Sequence, residues 1–333
     1  MELFEAIKQE KIDLVKHLVE NGADVNARNY NDSTPLHSIC DSGNLPIVKY
    51  LVQNGADVNA IDNDDSTPLV VACSKGYLPI VKYLVENGAD VNARNYNDST
   101  PLHLVINNLE LVKIMVEHGA DVNARNYNDS TPLHSACDSD NLLIVKYLVQ
   151  NGANVNVRNY NDSTPLHSAC SKGYLRIVKY LVEHGADVNA RNYHDETPFN
   201  LAYNNDNLRI MKYLVENGVY FNAYNNDGET PITLIVNKIE HEVNEQKKEE
   251  LMKILEILKK QRGTKNWNMS VLKAKATARK IRKLETFLNE VPGFPPNVGE
   301  KIAKLTLNQF GKSSKLRLIE LEIKYLNTLR SKN

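Results

Sequence analysis

The chain has 333 residues, 24% charged and 42% hydrophobic, with a formal net charge of -1. These are the proportions of folded globular proteins rather than of disordered or membrane chains, and no stretch approaches the roughly 18 apolar residues that a membrane span requires. The near-zero charge conceals an asymmetry: 16 of the 40 basic residues but only 5 of the 41 acidic ones fall in 262–333, leaving that tail near +11 and the rest near -12.

Met1 to Lys16 reads as an amphipathic segment, with Leu3, Phe4, Ile7, Ile12, Leu14 and Val15 among charges. It lacks the basic start and unbroken apolar run of a signal peptide, so a cytoplasmic chain is expected. Thr-Pro then recurs at Thr34, Thr67, Thr100, Thr131, Thr164, Thr197 and Thr230, with spacings of 33, 33, 31, 33, 33 and 33 residues. A fixed period in this range means stacked units. Within a unit, Thr N-caps a first helix and Pro takes its first position, where a missing N–H costs nothing. A turn follows, at Gly43, Gly76 or Gly173. A second helix, such as Leu45 to Gln53, carries Ile47, Val48, Leu51 and Val52 at helical spacing. Gly22, Gly55, Gly88, Gly119, Gly152, Gly185 and Gly218 close the second helices with a left-handed cap, and the polar stretch after each, such as Asp24 to Ser33, forms a β-turn finger.

The TPLH and GADVN segments on this period resemble the ankyrin-repeat family, from Met1 to about Gly263. The resemblance implies an all-α solenoid of about eight helix-turn-helix repeats with β-turn fingers, acting as a protein-binding scaffold. Between Thr100 and Thr131 the repeat is two residues short; the spacing places the loss in the inter-helix turn and predicts a local kink. The first repeat starts directly with its helix, and the last (Pro231 to Gln261) has longer, more charged helices suited to a terminus.

Cys40, Cys73, Cys137 and Cys170 each lie six residues after a repeat Thr. Equivalent positions in stacked repeats are roughly 8 to 10 Å apart, too far for a disulfide, so these are read as small core residues. His37, His103, His134 and His167 follow Thr-Pro-Leu, and the family resemblance implies that they hydrogen-bond the finger to the helix. Tyr50, Tyr83, Tyr147, Tyr180 and Tyr213 share one register on the second helices and read as inter-repeat packing with a solvated hydroxyl. The chain has no Gly-rich phosphate loop, HExxH, GxSxG or cysteine pair at zinc spacing. No enzyme activity, cofactor, metal site or small-molecule substrate is therefore expected.

In ankyrin folds the partner sits on the concave face made by finger tips and first helices. The RNYND finger places Tyr30, Tyr96, Tyr127, Tyr160 and Tyr193 four residues before the repeat Thr. An exposed tyrosine row offers large contact area with a hydrogen-bonding end; the alternative is duplication of one finger without a binding role. Arg28, Arg94, Arg125, Arg158 and Arg191 either pair locally with acids or offer forked donors to a partner's carboxylates. Asp41, Ser42, Ser74, Lys75, Asp138, Ser139, Ser171, Lys172, Asn204 and Asn205 vary on a constant frame, where specificity would be encoded. Their polarity points to a folded protein surface as partner.

After Gly263 the period is lost, and 264–333 reads as a separate basic domain of three helices: Ser270 to Val291, about Asn297 to Gln309, and Ser313 to Arg330. Phe294-Pro295-x-x-Val298-x-x-x-Ile302, continued by Leu305, resembles the start of an F-box, with Phe294 where Leu stands in the LPxEIxxxI pattern and Asn297 where Glu stands. Ankyrin repeats followed by a terminal F-box resemble effectors of poxviruses and obligate intracellular bacteria. That resemblance implies binding to the Skp1 adaptor of a host cullin ubiquitin ligase, and delivery into a host cell without a cleaved signal. Val291 to Ile302 also resembles the hairpin of a helix-hairpin-helix DNA-binding motif, but Pro295 has no N–H to offer a phosphate where that motif needs glycine. A third alternative is a basic cap on the solenoid.

Overall fold

The computed structural model describes residues 2–225 and 227–261. Among them are sixteen helices and no strand. They run in eight pairs: α1 (Glu2–Lys8) with α2 (Ile12–Glu20), α3 (Pro35–Ser42) with α4 (Leu45–Gln53), α5 (Pro68–Lys75) with α6 (Leu78–Glu86), and α7 (Pro101–Leu104) with α8 (Leu109–Glu117). The series continues with α9 (Pro132–Asp138) and α10 (Leu142–Gln150), α11 (Pro165–Lys172) and α12 (Leu175–Glu183), α13 (Pro198–Asn204) and α14 (Leu208–Glu216), then α15 (Pro231–His241) and α16 (Glu245–Gln261). The chain divides into two compact units, Met1–Tyr213 and Leu214–Asn333.

Repeat 2 (Thr34 to Ser66) shows why these residues fold this way. Thr34 is extended, its hydroxyl accepts from His37 N–H, and Pro35 follows as the first helical residue. Helix α3 stops at Gly43, whose φ of 89° a side chain would disfavour. The Asn44 carboxamide then caps α4 by accepting from Ile47 N–H at 3.2 Å. Helix α4 closes when Gly55 N–H bonds Val52 O and Ala56 N–H bonds Leu51 O, the paired bonds of a Schellman cap. Where repeats 5 and 7 lack the inter-helix glycine, Asp140 and Asp206 adopt the left-handed turn instead (φ 52° and 58°), a conformation that short polar side chains tolerate best.

Each pair buries one stripe per helix, in repeat 2 Leu36, Ile39 and Cys40 against Ile47, Val48 and Leu51. Burying each such Leu or Ile contributes about 1.5–3 kcal/mol. Within the first compact unit the first helices stack on one another, and the second helices from α2 to α12 likewise pack each against the next. Repeat 4 departs from the expectation. Its deletion is taken out of the first helix: α7 keeps four residues, and the turn from Val105 to Asn108 is longer than its counterparts. Val105 and Ile106 remain buried and fill the space, and Asn108 caps α8. No break shows at the finger edge, where the bonds across repeat 4 match those elsewhere in length.

In the second unit, Ile232, Leu234, Ile235 and Val236 of α15 are buried, as are Leu251, Ile254, Leu255 and Leu258 of α16, and the two helices pack together. These terminal helices have 11 and 17 residues, the lengthening expected from the sequence. The three helices expected between Ser270 and Arg330, and the F-box-like positions Phe294, Pro295, Val298, Ile302 and Leu305, lie outside the described residues.

Candidate protein-binding face

The finger begins as an Asx turn. In repeat 1 the Asn29 carboxamide oxygen accepts from Asn31 N–H and Ser33 N–H. Asp32, at φ 57°, reverses the chain, and main-chain bonds between Asn29 and Ser33 and between Asp32 and Asn29 close the loop. This geometry carries Tyr30, Tyr96, Tyr127, Tyr160 and Tyr193 outward, 65 to 92% exposed. Each finger is also joined to the one before it through its own backbone. Tyr96 N–H donates to Asp64 O, Tyr127 to Asn97 O, Tyr160 to Asn128 O and Tyr193 to Asn161 O, at 2.8–3.0 Å. The tyrosines thus stand on a tied edge, which lowers the ordering cost of binding them.

The row is interrupted once. Repeat 2 ends in Ile61-Asp62-Asn63-Asp64-Asp65 where repeats 1, 3, 4 and 5 read RNYND and repeat 6 reads RNYHD, so its tip carries three carboxylates, no arginine and no tyrosine. Asn63 N–H still donates to Asn31 O, so the edge itself is unbroken there. The arginines take the local option. Arg28, Arg94, Arg125, Arg158 and Arg191 each lie 3.1–3.9 Å from the Asp four residues on. Arg28, Arg94, Arg125 and Arg158 also donate to a carbonyl of the next finger, at Ile61, Arg125, Arg158 and Arg191 respectively.

Two further ladders hold this edge. Thr34 N–H donates to His37 Nδ1 at 3.2 Å, and His37 Nε2 meets Ser66 O at 2.9 Å. A carbonyl can only accept, so Nε2 carries the proton and the ring is neutral. His103, His134 and His167 repeat this with Ser130 O, Ser163 O and Glu196 O. Burial is the main cause that lowers the pKa of all four, that of His167 to about 4. Asn26, Asn59, Asn92, Asn123 and Asn156 form the second ladder. Each carboxamide donates to the glycine carbonyl of the next repeat and accepts from an N–H two residues beyond that glycine.

This helix-pair stack, with its capped threonines and finger ladders, is met by a family model of ankyrin repeats, three copies long, that matches residues 3–95, 94–159, 128–192 and 156–225. The chain belongs to the ankyrin-repeat family. No curated protein matches it.

In this ankyrin stack the variable positions sit at the far ends of the first helices. Asp41, Ser42, Ser74, Lys75, Asp138, Ser139, Ser171 and Lys172 are all exposed around the inter-helix turns. A helix of eight residues is about 12 Å long, so these turn positions lie at the opposite end of the first helices from the fingers. Lys75 Nζ lies 2.8 Å from Asp41. Asn204 reaches back to Glu196 Oε1 at 3.3 Å, and Asn205 to Leu201 O.

The four cysteines are free thiols inside the stack, and burial drives their pKa values far up, so the nucleophilic thiolate is suppressed. On the second helices, Lys49, Lys146 and Lys179 sit over the rings of Tyr83, Tyr180 and Tyr213 in the next repeat, at 5.5–5.6 Å. Tyr50 and Tyr213 hydroxyls donate to the Lys16 and Lys179 carbonyls. Tyr180 departs from the expected solvated hydroxyl: its side chain is buried, with the His184 ring 3.9 Å away. Among the described residues, no group of three or more His, Cys, Asp or Glu is placed to hold a metal ion, and no helix is long and apolar enough to cross a membrane.

The sequence reading missed the Asn ladder and the acidic second finger. Both were visible as the invariant Asn of GADVN within this chain and as IDNDD among copies of RNYND.

Proposed function

We propose that this chain is a non-enzymatic scaffold that binds a folded protein through its finger tips, joined by the polar ends of those first helices whose charges are not paired within the stack as Asp41 and Lys75 are. The observation that carries the proposal is the tyrosine row, exposed in five fingers and tied from finger to finger by main-chain hydrogen bonds. Large amphipathic rings on a preorganised edge are the type of group that dominates protein interfaces. Tyr127→Ala with Tyr160→Ala is expected to weaken partner capture at least tenfold while leaving the melting temperature unchanged. Capture unaltered by that pair would remove the finger row from the proposal.

The proposal extends to the basic tail. Its F-box-like run, Phe294, Pro295, Val298, Ile302 and Leu305, supports a cytoplasmic effector that links its bound partner to a Skp1-cullin ubiquitin ligase. Comparative capture with the full chain and with a chain ending at 263 tests this. Skp1 and cullin recovered only with the tail support it. Salt-sensitive retention of the tail on DNA cellulose would favour nucleic-acid binding instead, and a lower melting temperature without the tail, with no change in captured proteins, would favour a structural cap.

A further inference from the structure

The solenoid contains a second, longer period. At the inter-helix turns, where the repeats differ most, repeat 2 matches repeat 5 and repeat 3 matches repeat 6, 97 residues on. Asp41-Ser42 and Asn44 return as Asp138-Ser139 and Asn141; Ser74-Lys75-Gly76-Tyr77 returns as Ser171-Lys172-Gly173-Tyr174. The local structure repeats as well. Asn44 and Asn141 both cap their second helix with the side chain, whereas Tyr77 and Tyr174 make no side-chain cap bond. Each copy is therefore a matched control for the other, on one frame within one compact unit.

The two copies differ in what they leave available. In the first, Lys75 is paired with Asp41 at 2.8 Å. The Tyr77 ring lies so close over Gly43 that a Cβ there would come within 2.8 Å of it, and Pro46 and Pro79 flank the site. In the second copy, no ion pair joins the matching Asp138 and Lys172 or ties either to another of the described residues. Asp140 stands in place of Gly43, Leu143 in place of Pro46 and Arg176 in place of Pro79. Leu143 is 64% exposed. The result is a bipolar patch, with two carboxylates on repeat 5, two cations on repeat 6 and an exposed apolar side chain beside them.

From this contrast we infer that the inter-helix turns of repeats 5 and 6 form a protein-docking patch, and that the matching turns of repeats 2 and 3 do not. The partner it fits is a folded protein surface with Lys or Arg opposite Asp138 and Asp140, and Asp or Glu opposite Lys172 and Arg176. Those two sets lie about 8–10 Å apart, the spacing of neighbouring helices, beside an apolar recess that receives Leu143. A uniformly anionic surface, such as nucleic acid, would meet the carboxylates of repeat 5 unfavourably. Exposed charges add little affinity singly, but wrong pairing is strongly penalised, so the patch selects and orients its partner. This inference rests on the scaffold function proposed above.

The test uses the full chain in three forms: wild type, Asp138→Lys with Lys172→Asp, and Asp41→Lys with Lys75→Asp. The last exchange preserves its internal ion pair with the charges reversed. The probe is a protein captured on the wild-type chain, identified by mass spectrometry, purified and titrated against all three. Binding is expected to weaken at least about tenfold for the repeat 5–6 exchange and to stay within twofold for the repeat 2–3 exchange, with all three melting temperatures alike. Equal loss from both exchanges, or loss from neither, overturns the inference. If Tyr127→Ala with Tyr160→Ala abolishes binding and the repeat 5–6 exchange does not, the scaffold function stands and the patch falls. Failure to capture any protein removes both. Sedimentation of the wild type alone covers the remaining occupant: self-association abolished by Asp138→Lys would assign the patch to a second copy of this chain and overturn the inference.

Discussion

At the finger edge of repeats 3 to 6, successive repeats present nearly the same side chains, and each is tied to the next through backbone N–H and C=O groups. At the inter-helix turns, one helix length away, the side chains change from repeat to repeat. What crosses between neighbours there is side chain to side chain, as in Lys75 with Asp41 or Asn44 with Glu10. The difference teaches where the stack keeps its stiffness and where it can vary. A ladder that uses main-chain atoms cannot change without loss, whereas an exposed side-chain pair can be gained or lost at little cost. Repeats 2 and 5 show this: Asp41 is paired and Asp138 is not paired with the matching Lys172, yet the second helices keep nine residues each and the same Asn cap, and the first helices differ by one residue.

Acid should break the comparison most strongly, because the buried histidines all lie on the finger edge. Their native pKa values are below the unfolded value near 6.5, so the unfolded chain takes up protons first. Their contribution is complete above about pH 6.5 and is lost progressively as the pH falls below it through the lowered native values. His167 alone, with a pKa lowered to about 4, accounts for about 3 kcal/mol at the acid end of that range. Melting curves between pH 7.5 and 4.5 should therefore shift steeply downward, and a flat profile would contradict the neutral-imidazole ladder.

A smaller effect is expected for His134→Val. Repeat 3 already carries Val70 at this position, buried and still bonded through its N–H to Thr67, so the shape is tolerated. The substitution leaves Thr131 N–H and Ser163 O without their imidazole partner, at a cost of about 1–3 kcal/mol, and should make the acid profile shallower. Denaturant titration at pH 7.5 and 5 checks both. The smallest change belongs to the turn edge: Asp41→Asn, which removes the exposed partner of Lys75, should leave the melting temperature within the scatter of the measurement.

Much of the stack was legible because its signals are local. The Thr-Pro steps, the closing glycines and the spacing of Ile47, Val48 and Leu51 each specify a cap or a buried stripe within a few residues. The finger ladder was not legible, because Tyr127 N–H and Asn97 O carry no side-chain signature. The Asn123 ladder was concealed differently: its residue type is plain, but its partners are backbone atoms 29 and 31 residues away. The shortening of α7 was misplaced because the count of residues between Thr100 and Thr131 is indifferent to whether a helix or a turn gives them up. Among candidate binding residues, the exposure of the tyrosines follows from their position in the finger, while Asp140, Leu143 and Arg176 emerge only when the two copies of the turn are compared.

The side-chain donors of the finger ladders all point toward the C-terminus. His37, Asn26 and Arg28 belong to earlier repeats, and the carbonyls they meet, Ser66, Gly55 and Ile61, belong to later ones. During synthesis, therefore, a chain emerging N-terminus first carries its unspent donors at the growing edge, and each new repeat delivers the acceptors that the previous one is waiting for. Shortening the protein from either end is then not equivalent. A cut at the C-terminal side strands side-chain imidazole, amide and guanidinium N–H groups, whereas a cut at the N-terminal side strands carbonyls together with main-chain N–H groups such as those of Asp57 and Tyr96.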